Sequence, residues 1–452
     1  MQIMLPNLAD RRIFPGMSQP GGPEFQNEEK AEKIASFNGI NVYRIKTDKF
    51  KTNSVNFFFL DTLNRGNVTK NALVPAVLRR GCRQYATFRD IALRLEELYG
   101  TSFDCGVAKK GECHVIQFYM EFLADKYTLD NKSLFESAFE LLYEIIYQPV
   151  SENGAFREEY LAQEKDNLKK LIESRVNDKM QYSVDRCFEE MCKGEPYGLY
   201  EYGYVSDLEA VGPKDLYAHY RDMLENYPLQ VYLAGDMNDE TVRGVVEKLS
   251  DIKRKQPKTL NCCNIEKELN GVKNVTEKMN ITQGKLTLGF RTNTSAASTD
   301  YYKLMVYNGI LGGGIHSKLF QNVREKASLA YYAYSRLDRF KGLMVISSGI
   351  DVKNKDKAEK IIMEQLEEIK KGNISDYEYE STMKTIETGI KSLMDSQIQI
   401  VDYYLSQAVS ETGDSFSAIA DKVKRVTKQD VVDVAKKIQL DTVYFLTGNM
   451  EG

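Results

Sequence analysis

The 452-residue chain has no tryptophan, three histidines, ten prolines and a nearly balanced charge. The 61 lysines and arginines stand against 65 aspartates and glutamates, so bulk charge gives no support for a nucleic-acid partner. No run of apolar residues is long enough to span a membrane, so we predict no membrane association. The N-terminal stretch lacks the apolar core and cleavage site of a secretory signal, and we therefore expect a cytoplasmic protein.

Cysteine and histidine are too scattered to indicate a metal or disulfide site. The seven cysteines are odd in number and never spaced as Cys-x-x-Cys, so we expect reduced and mostly buried thiols. The histidines, His114, His219 and His316, lie far apart in sequence, and we expect each to stand alone. Cys113 and His114 are adjacent, so in a strand they point to opposite faces and cannot form a dyad with each other.

The chain is predicted to comprise a leader, two domains and a linker. Residues 1–35 hold four of the ten prolines and a Pro-Gly-Gly-Pro run, which predicts an extended leader, whether native or left by cloning. We predict a first domain over residues 36–250 and a second over residues 276–452. Residues 251–275 between them are polar, contain a proline and are predicted to form the linker.

The second domain repeats the order of landmarks in the first, which indicates duplication of a unit of about 200 residues. Each domain mixes runs of strands with long helices, so we predict an α+β fold in which a mainly antiparallel, six-stranded sheet carries helices on one face. The matched segments are Ser54–Leu60 with Lys285–Phe290, Val211–Leu216 with Val426–Val431, and Val231–Asp236 with Val443–Asn449.

The most specific local pattern begins with a run of three glycines. Gly312, Gly313 and Gly314 end a helical segment and are predicted to permit a tight turn, after which Ser317 caps the next helix. A phosphate-binding loop requires Gly-Lys-[Ser/Thr] after its glycines, and this order is absent here. No Gly-x-Ser-x-Gly nucleophile elbow surrounds the serine either. Nucleotide binding and serine hydrolase chemistry therefore receive no support.

Arg324 and Tyr331 follow that loop, at the end of the helix and in the next strand-like segment. A guanidinium and a phenol brought together could hold a peptide carbonyl or a carboxylate. In the alternative interpretation, Arg324 caps the carbonyls of its helix and Tyr331 fills the core. The residues by themselves favour this structural alternative.

The pattern Gly-Gly-Gly-x-x-Ser-x-Leu-Phe-x-x-Val-Arg-Glu-Lys-x-x-Leu-Ala-Tyr resembles the second-domain signature of pitrilysin/insulinase-type zinc peptidases, which include the mitochondrial processing peptidases. The resemblance extends over roughly residues 37–450 and takes in Leu95–Gly100 and Glu195–Gly198. Internal duplication is also a property of that family. The resemblance implies that Arg324 and Tyr331 bind substrate backbone near a zinc ion.

The zinc motif of that family, His-x-x-Glu-His, is missing from the expected place in the first domain. The register puts Ala72 and Ala76 where the resemblance implies histidine ligands, and Pro75 where it implies the general base. Counting seven positions from Glu164 to the implied third ligand reaches Leu171. We also expect Pro75 to interrupt the helix. No metal ligand and no catalytic residue are therefore predicted in this chain.

Three functions remain open after this comparison. The first is the non-catalytic, substrate-binding subunit of a heterodimeric zinc endopeptidase, in which a homologous partner chain carries the zinc and this chain supplies Arg324 and Tyr331. The second is a stand-alone pseudo-peptidase, as a homodimer, that binds or scaffolds peptides without cleaving them. The third is an unrelated hydrolase using Cys113 or His316, although nothing in the sequence pairs either residue with a base.

Overall fold

The computed structural model describes residues 28–129, 133–255, 257–265, 267, 269 and 271–448. Most of the predicted leader lies outside these residues. The strands of the first half are β1 (Ala31–Phe37), β2 (Ile40–Lys46), β3 (Thr52–Thr62), β4 (Ser102–Lys110), β5 (Cys113–Leu123), β6 (Ser151–Glu152), β7 (Ala155–Phe156) and β8 (Leu229–Gly235). The helices are α1 (Val68–Leu78), α2 (Phe88–Glu97), α3 (Leu134–Tyr147), α4 (Glu158–Ser174), α5 (Lys179–Met191), α6 (Val205–Leu208), α7 (Pro213–Asn226) and α8 (Asp239–Ser250).

The second half contains a similar succession of strands and helices. Its strands are β9 (Lys273–Met279), β10 (Gly284–Arg291), β11 (Ala330–Asp338), β12 (Leu343–Ile350) and β13 (Gln439–Gly448). Its helices are α9 (Tyr301–Gly312), a π-helix (Phe320–Lys326), α10 (Lys355–Lys370), α11 (Asp376–Leu393), α12 (Gln397–Val409), α13 (Phe416–Lys424) and α14 (Lys428–Ala435). No helix of the described ranges is both long enough and apolar enough to cross a bilayer.

The first sheet has six strands in the order β1-β2-β8-β3-β5-β4 and is antiparallel except between β2 and β8. This confirms the predicted strand number and the mainly antiparallel pairing. Strand β1 pairs with β2 from Ala31 onwards, so the sheet begins inside the predicted leader. The boundary was predicted too late because β1 is an edge strand with exposed charged residues and no strong apolar alternation.

The second sheet has five strands in the described residues, not six, in the order β11-β12-β10-β13-β9. Its order matches β4-β5-β3-β8-β2 of the first sheet strand for strand, including one parallel pair, β9 with β13. The predicted duplication is thus present in the topology, and β1 is the strand without a counterpart. The chain before β9 lies between the halves instead, where Cys262 O accepts from Glu112 N at 2.8 Å and Asn264 O accepts from Lys341 Nζ at 2.6 Å.

Each sheet packs its own helices on one face, as predicted. In the first half, apolar side chains of β3 and β5 meet α1, α3 and α7 in a single core that includes Phe57, Phe118 and Leu142. The core of the second half joins β10 and β12 to α9, α10, α13 and α14. Helices α7 and α14 begin at the predicted segments and immediately precede β8 and β13.

The opposite face of each sheet is covered by a helix from the other half. Helix α5 packs across β10, β12 and β13. It lies so close to the sheet that a Cβ atom on Gly289 would collide with Met191. Helix α12 lies on the first sheet, where Gln397 Nε2 donates to Thr52 O at 3.1 Å and Asp402 pairs with Lys110 at 2.7 Å. This exchange of helices was not predicted, and it joins the two halves into one structure.

Candidate functional site

Arg324 lies on a π-helix whose first turn is preceded by Ser317. The helical segment that leads into the π-helix begins at Lys318, and the backbone N–H of Phe320 donates to Ser317 Oγ at 3.4 Å, so Ser317 caps this segment as predicted. Ala327 N donates to Asn322 O at 3.2 Å, which is the i to i+5 pattern of a π-turn. Such turns are rare in proteins, and those that occur are often found at functional sites.

The Arg324 side chain is held loosely and stays accessible. Its guanidinium lies 4.7 Å from the centre of the Phe320 ring, and its Nε is 3.6 Å from a carboxylate oxygen of Glu325. The side chain is 44% exposed. In the described ranges it donates no hydrogen bond to a helix carbonyl, which speaks against the alternative in which Arg324 is only a cap.

Tyr331 projects from a β-bulge at the start of β11. Ala330 pairs with Ile350 and Tyr332 pairs with Gly349, so Tyr331 is the extra residue of the bulge. It is 73% exposed, and within the described part of the chain its hydroxyl has no hydrogen-bond partner. Ser328, in the turn before the strand, adopts a φ of 50°. The exposure of Tyr331 contradicts the alternative in which this ring fills the core.

Tyr332 faces the other way and anchors the bulge. Its ring packs on Gly349, where an added Cβ atom would come within 2.5 Å of the ring carbon Cε1. The ammonium of Lys285 lies 5.5 Å from the ring centre. Burial raises the pKa of the Tyr332 hydroxyl, which therefore stays protonated. The sequence pattern singled out Tyr331 but gave no sign that its neighbour holds it in place.

The glycine run serves close packing and does not require a left-handed turn. A Cβ atom on Gly312 would collide with the backbone of Ser335, and one on Gly313 would lie 2.7 Å from the Cα of Gly309. Helix α9 ends at Gly312, and Ser317 N donates to Gly314 O at 3.1 Å in the turn that follows, so the predicted turn is present although none of the three glycines has a positive φ. Helix α9 therefore approaches β11 closely, and this places the helix that carries Arg324 beside the strand that carries Tyr331.

Two side chains of the loop after the glycines fasten it to α11. His316 Nε2 lies 2.9 Å from Thr382 Oγ1, and burial lowers the pKa of His316. Lys318 Nζ pairs with Glu378 at 2.9 Å, and only 8% of the lysine side chain is exposed. The loop thus has fixed contacts on both sides of Ser317, and we assign His316 a structural role.

The positions of the family's zinc ligands and general base carry side chains without a donor atom for a metal. Helix α1 runs through Pro75 without a break, so the expected interruption is wrong. Ala72 and Pro75 are buried, and Cys105 Sγ lies 3.2 Å from the carbonyl oxygen of Pro75. Leu171 packs against the core of the first half. The described residues contain no group of three or more histidine, cysteine, aspartate or glutamate side chains that could hold a metal.

Polar contacts, with no metal involved, connect α1 to its neighbours. Arg80, just beyond its end, pairs with Glu164 of α4. The Asn71 side chain lies between His114 Nδ1 at 3.1 Å and His219 Nε2 at 2.7 Å. Burial lowers the pKa of His114 to about 3 and of His219 to about 4. The expectation that each histidine stands alone was wrong for these two, because the sheet and α7 bring together residues that are far apart in sequence.

The family profile described as "Peptidase M16 inactive domain" matches residues 210–386. The chain is 38% identical over 412 residues to the probable inactive metalloprotease YmfF of Bacillus subtilis, covering 91% of this chain and 96% of that protein. A conserved protein from Enterococcus faecalis V583 has a similar structure, with a TM-score of 0.87, 31% identity and coverage of 93% of this chain and 99% of that one. A peptidase M16 inactive domain from Pseudomonas fluorescens has a TM-score of 0.77 at 16% identity, with 93% and 98% covered, and so supports the fold alone. The chain therefore belongs to the M16 family of metallopeptidases, the pitrilysin/insulinase type, in its inactive branch.

Proposed function

We propose that this chain is the non-catalytic, substrate-binding subunit of a heterodimeric zinc endopeptidase and acts in the cytoplasm. A homologous partner would carry the zinc, and this chain would supply Arg324 and Tyr331 to the partner's site. The observation that carries the proposal is a contrast between the two domains. The positions of the metal ligands hold Ala72, Ala76 and Leu171, whereas Arg324 and Tyr331 stay exposed on irregular backbone.

The chemistry of the pair suits an extended peptide. The guanidinium of Arg324 offers several N–H donors and a permanent charge, and the phenol of Tyr331 donates one O–H group. Each donor can form a hydrogen bond to a peptide carbonyl. A hydrogen-bond donor that meets a developing oxyanion commonly contributes about 3 kcal/mol to catalysis. The partner's zinc would supply the activated water.

The backbone around the pair supports this role. A π-turn and a β-bulge cost stability compared with regular structure, and a residue such as Ser328 at positive φ adds strain. Such features persist when packing fixes them, and here Gly312, Gly349 and Tyr332 do so. The result is two exposed side chains on a rigid support, which is the arrangement that a binding site needs.

The decisive experiment begins with the native chain, isolated from its own cells together with any protein that co-purifies. We expect a homologous chain with an intact His-x-x-Glu-His motif, and peptide cleavage only when both chains are present. Arg324→Ala and Tyr331→Phe should then lower turnover by about 100-fold or more. Lys326→Ala on the same π-helix and Tyr377→Phe, another exposed tyrosine, are matched controls that should keep wild-type rates.

Other outcomes separate this proposal from its alternative. A homodimer that binds extended peptides and cleaves none with any homologous chain would support the stand-alone pseudo-peptidase. Wild-type turnover of the complex with Arg324→Ala would refute the assigned role of the pair.

A further inference from the structure

Helix α2 leaves much of its apolar surface uncovered. Ile91 is buried, whereas Phe88 and Leu93 on the same helix are each close to half exposed. Just beyond the helix, the exposed Tyr99 accepts a hydrogen bond through its hydroxyl, at 3.0 Å, from the backbone N–H of Leu129, whose side chain is almost wholly exposed. Single exposed apolar side chains are ordinary, but a group of them on one element marks an interaction surface.

Three arginines belong to the segment that ends α1 and begins α2. The guanidinium of Arg79, at the end of α1, lies 5.5 Å from the centre of the Phe88 ring. Arg83, in the turn between the two helices, and Arg89, on α2, are exposed, and neither forms an ion pair in the part of the chain that the structure describes. The other two arginines between residues 79 and 94 are paired with carboxylates. The segment therefore carries positive charge that the chain does not neutralise by contact.

The position of Arg89 is unfavourable for the helix itself. It is the second residue of α2 after the N-cap Thr87, where the helix dipole disfavours a positive charge. Asp90, the acidic residue of this turn, is already engaged in the capping box with Thr87. Burial raises the pKa of Asp104 on β4 while the charge of Arg79 acts in the opposite direction, but the described contacts include no ion pair between these two. The first turn of α2 thus presents positive charge beside apolar side chains.

We propose that Arg79, Phe88, Arg89 and Leu93, which we call the α2 surface, bind an acidic and apolar segment of the zinc-bearing partner chain. The inference rests on the proposed function and adds to it the surface that the partner covers. Arginine and aromatic side chains are enriched in protein interfaces, and opposite charges across an interface speed association and select the partner.

The location of the α2 surface suits the proposed heterodimer. Arg79 ends α1, the helix in which Ala72, Pro75 and Ala76 stand at the positions of the zinc motif. In the proposed complex, the second half of this chain contacts the corresponding helix of the partner. In a dimer of homologous chains with an approximate two-fold axis, every such contact has a counterpart with the roles exchanged. The partner's second half then contacts the end of α1 in this chain, which is where the α2 surface begins. A membrane suits the surface less well, because Glu96 and Glu97 in the last turn of α2 would be repelled by anionic lipids.

The experiment measures the dissociation constant between the full-length chain and the homologous chain that co-purifies with it, at several concentrations of sodium chloride. We expect the affinity to fall as salt screens the arginines, and we expect Arg89→Glu and Phe88→Ala each to weaken it at least about tenfold. Arg243→Glu on α8 and Tyr377→Ala on α11 make comparable changes at other exposed positions and should keep the affinity within about twofold. Arg89→Glu should not lower the melting temperature, because a negative charge suits the first turn of a helix.

The outcomes separate this proposal from the proposed function. Weaker association of both α2 variants, with both controls unchanged, supports the α2 surface. Wild-type affinity of both variants overturns it and leaves the proposed function intact, because cleavage and Arg324 do not enter this readout. If no homologous chain co-purifies, both proposals fall. Vesicles of phosphatidylglycerol form a separate arm, and binding to them that is lost in Arg89→Glu would assign the surface to a membrane and overturn the proposal.

Discussion

The ring of Tyr332 rests on Gly349 of the neighbouring strand, in space that any side chain at position 349 would need. This contact fixes the residue next to Tyr331 on one face of the sheet. The bulge then leaves the Tyr331 side chain exposed to solvent. A glycine 18 residues beyond the end of the family signature thus supports the exposed phenol.

Gly349→Ala should therefore lower the free energy of unfolding by about 1–3 kcal/mol, because the added methyl group overpacks the site. Urea denaturation measures this change. Gly106→Ala on β4 is the matched control, since nothing lies within 4 Å of the Cβ atom at that strand position. A Gly349→Ala protein as stable as the control would show that the ring is free to move.

Lys341 should be essential for stability. Its side chain is 1% exposed and pairs with Glu112 at 2.5 Å and Glu195 at 2.8 Å. Lys341→Met would leave Glu112 without its counter-charge, while Glu195 keeps its pairs with the buried Arg291 and with Lys267, so we expect a loss of about 3 kcal/mol in the free energy of unfolding. Lys267→Met is the control, because this lysine also pairs with Glu195 but is 31% exposed. The Lys267→Met substitution should lower the free energy of unfolding by about 1 kcal/mol or less. Equal losses in the two variants would contradict the prediction.

Stability should fall with acidification below about pH 6.5. His114 and His219 have pKa values lowered to about 3 and about 4 in the folded chain, chiefly by burial. In the unfolded chain they take up protons near pH 6.5, so the unfolded state binds more protons between that pH and the folded pKa values. Each histidine then lowers the free energy of unfolding by up to about 1.4 kcal/mol for each pH unit of acidification.

Urea denaturation between about pH 7.5 and pH 5 measures this slope. In the His219→Gln variant one of the two titrating groups is gone, and the slope should be shallower by up to about 1.4 kcal/mol per pH unit. A slope unchanged by the substitution would mean that His219 titrates alike in both states.

Zinc and chelators should leave the melting temperature of the wild-type chain unchanged, because Ala72, Pro75, Ala76 and Leu171 offer no donors. The fourfold variant Ala72→His, Pro75→Glu, Ala76→His, Leu171→Glu restores the implied set. Zinc at 100 times its dissociation constant should stabilise that variant by about 2.7 kcal/mol. The variant without Leu171→Glu is the control and should bind more weakly. Stoichiometric zinc on the wild type, measured by metal analysis, would refute the expectation.

Local sequence patterns predicted much of the fold. The apolar runs of β8 and β13, and the helix starts before them, revealed the duplication because strand and helix signals are short-range. Strand β1 was not predicted, because an edge strand buries few apolar side chains and its sequence is only weakly apolar. The exchange of α5 and α12 between the two halves was not predicted either. An amphipathic pattern shows that a helix has a buried face, but it does not show which sheet covers that face.

The candidate site was predicted in part. The pattern after the glycine run and the family resemblance singled out Arg324 and Tyr331. The π-turn, the bulge and the packing of Tyr332 on Gly349 depend on contacts between separate strands, which no local pattern records. The grouping of His114 and His219 around Asn71 was missed for the same reason. Backbone irregularity is set by tertiary packing, and it decides which side chains remain accessible.

Because α5 and α12 each cover the sheet of the opposite half, neither half contains all of its own packing. A fragment cut at the linker would expose a broad apolar sheet face and the apolar side of an orphaned helix, which invites aggregation. Co-expressed fragments, in contrast, should recover the intact arrangement by mutual complementation. Each unit of such a duplicated chain depends on a helix of the other unit. The two units can therefore diverge in sequence, but they cannot be separated without losing packing contacts.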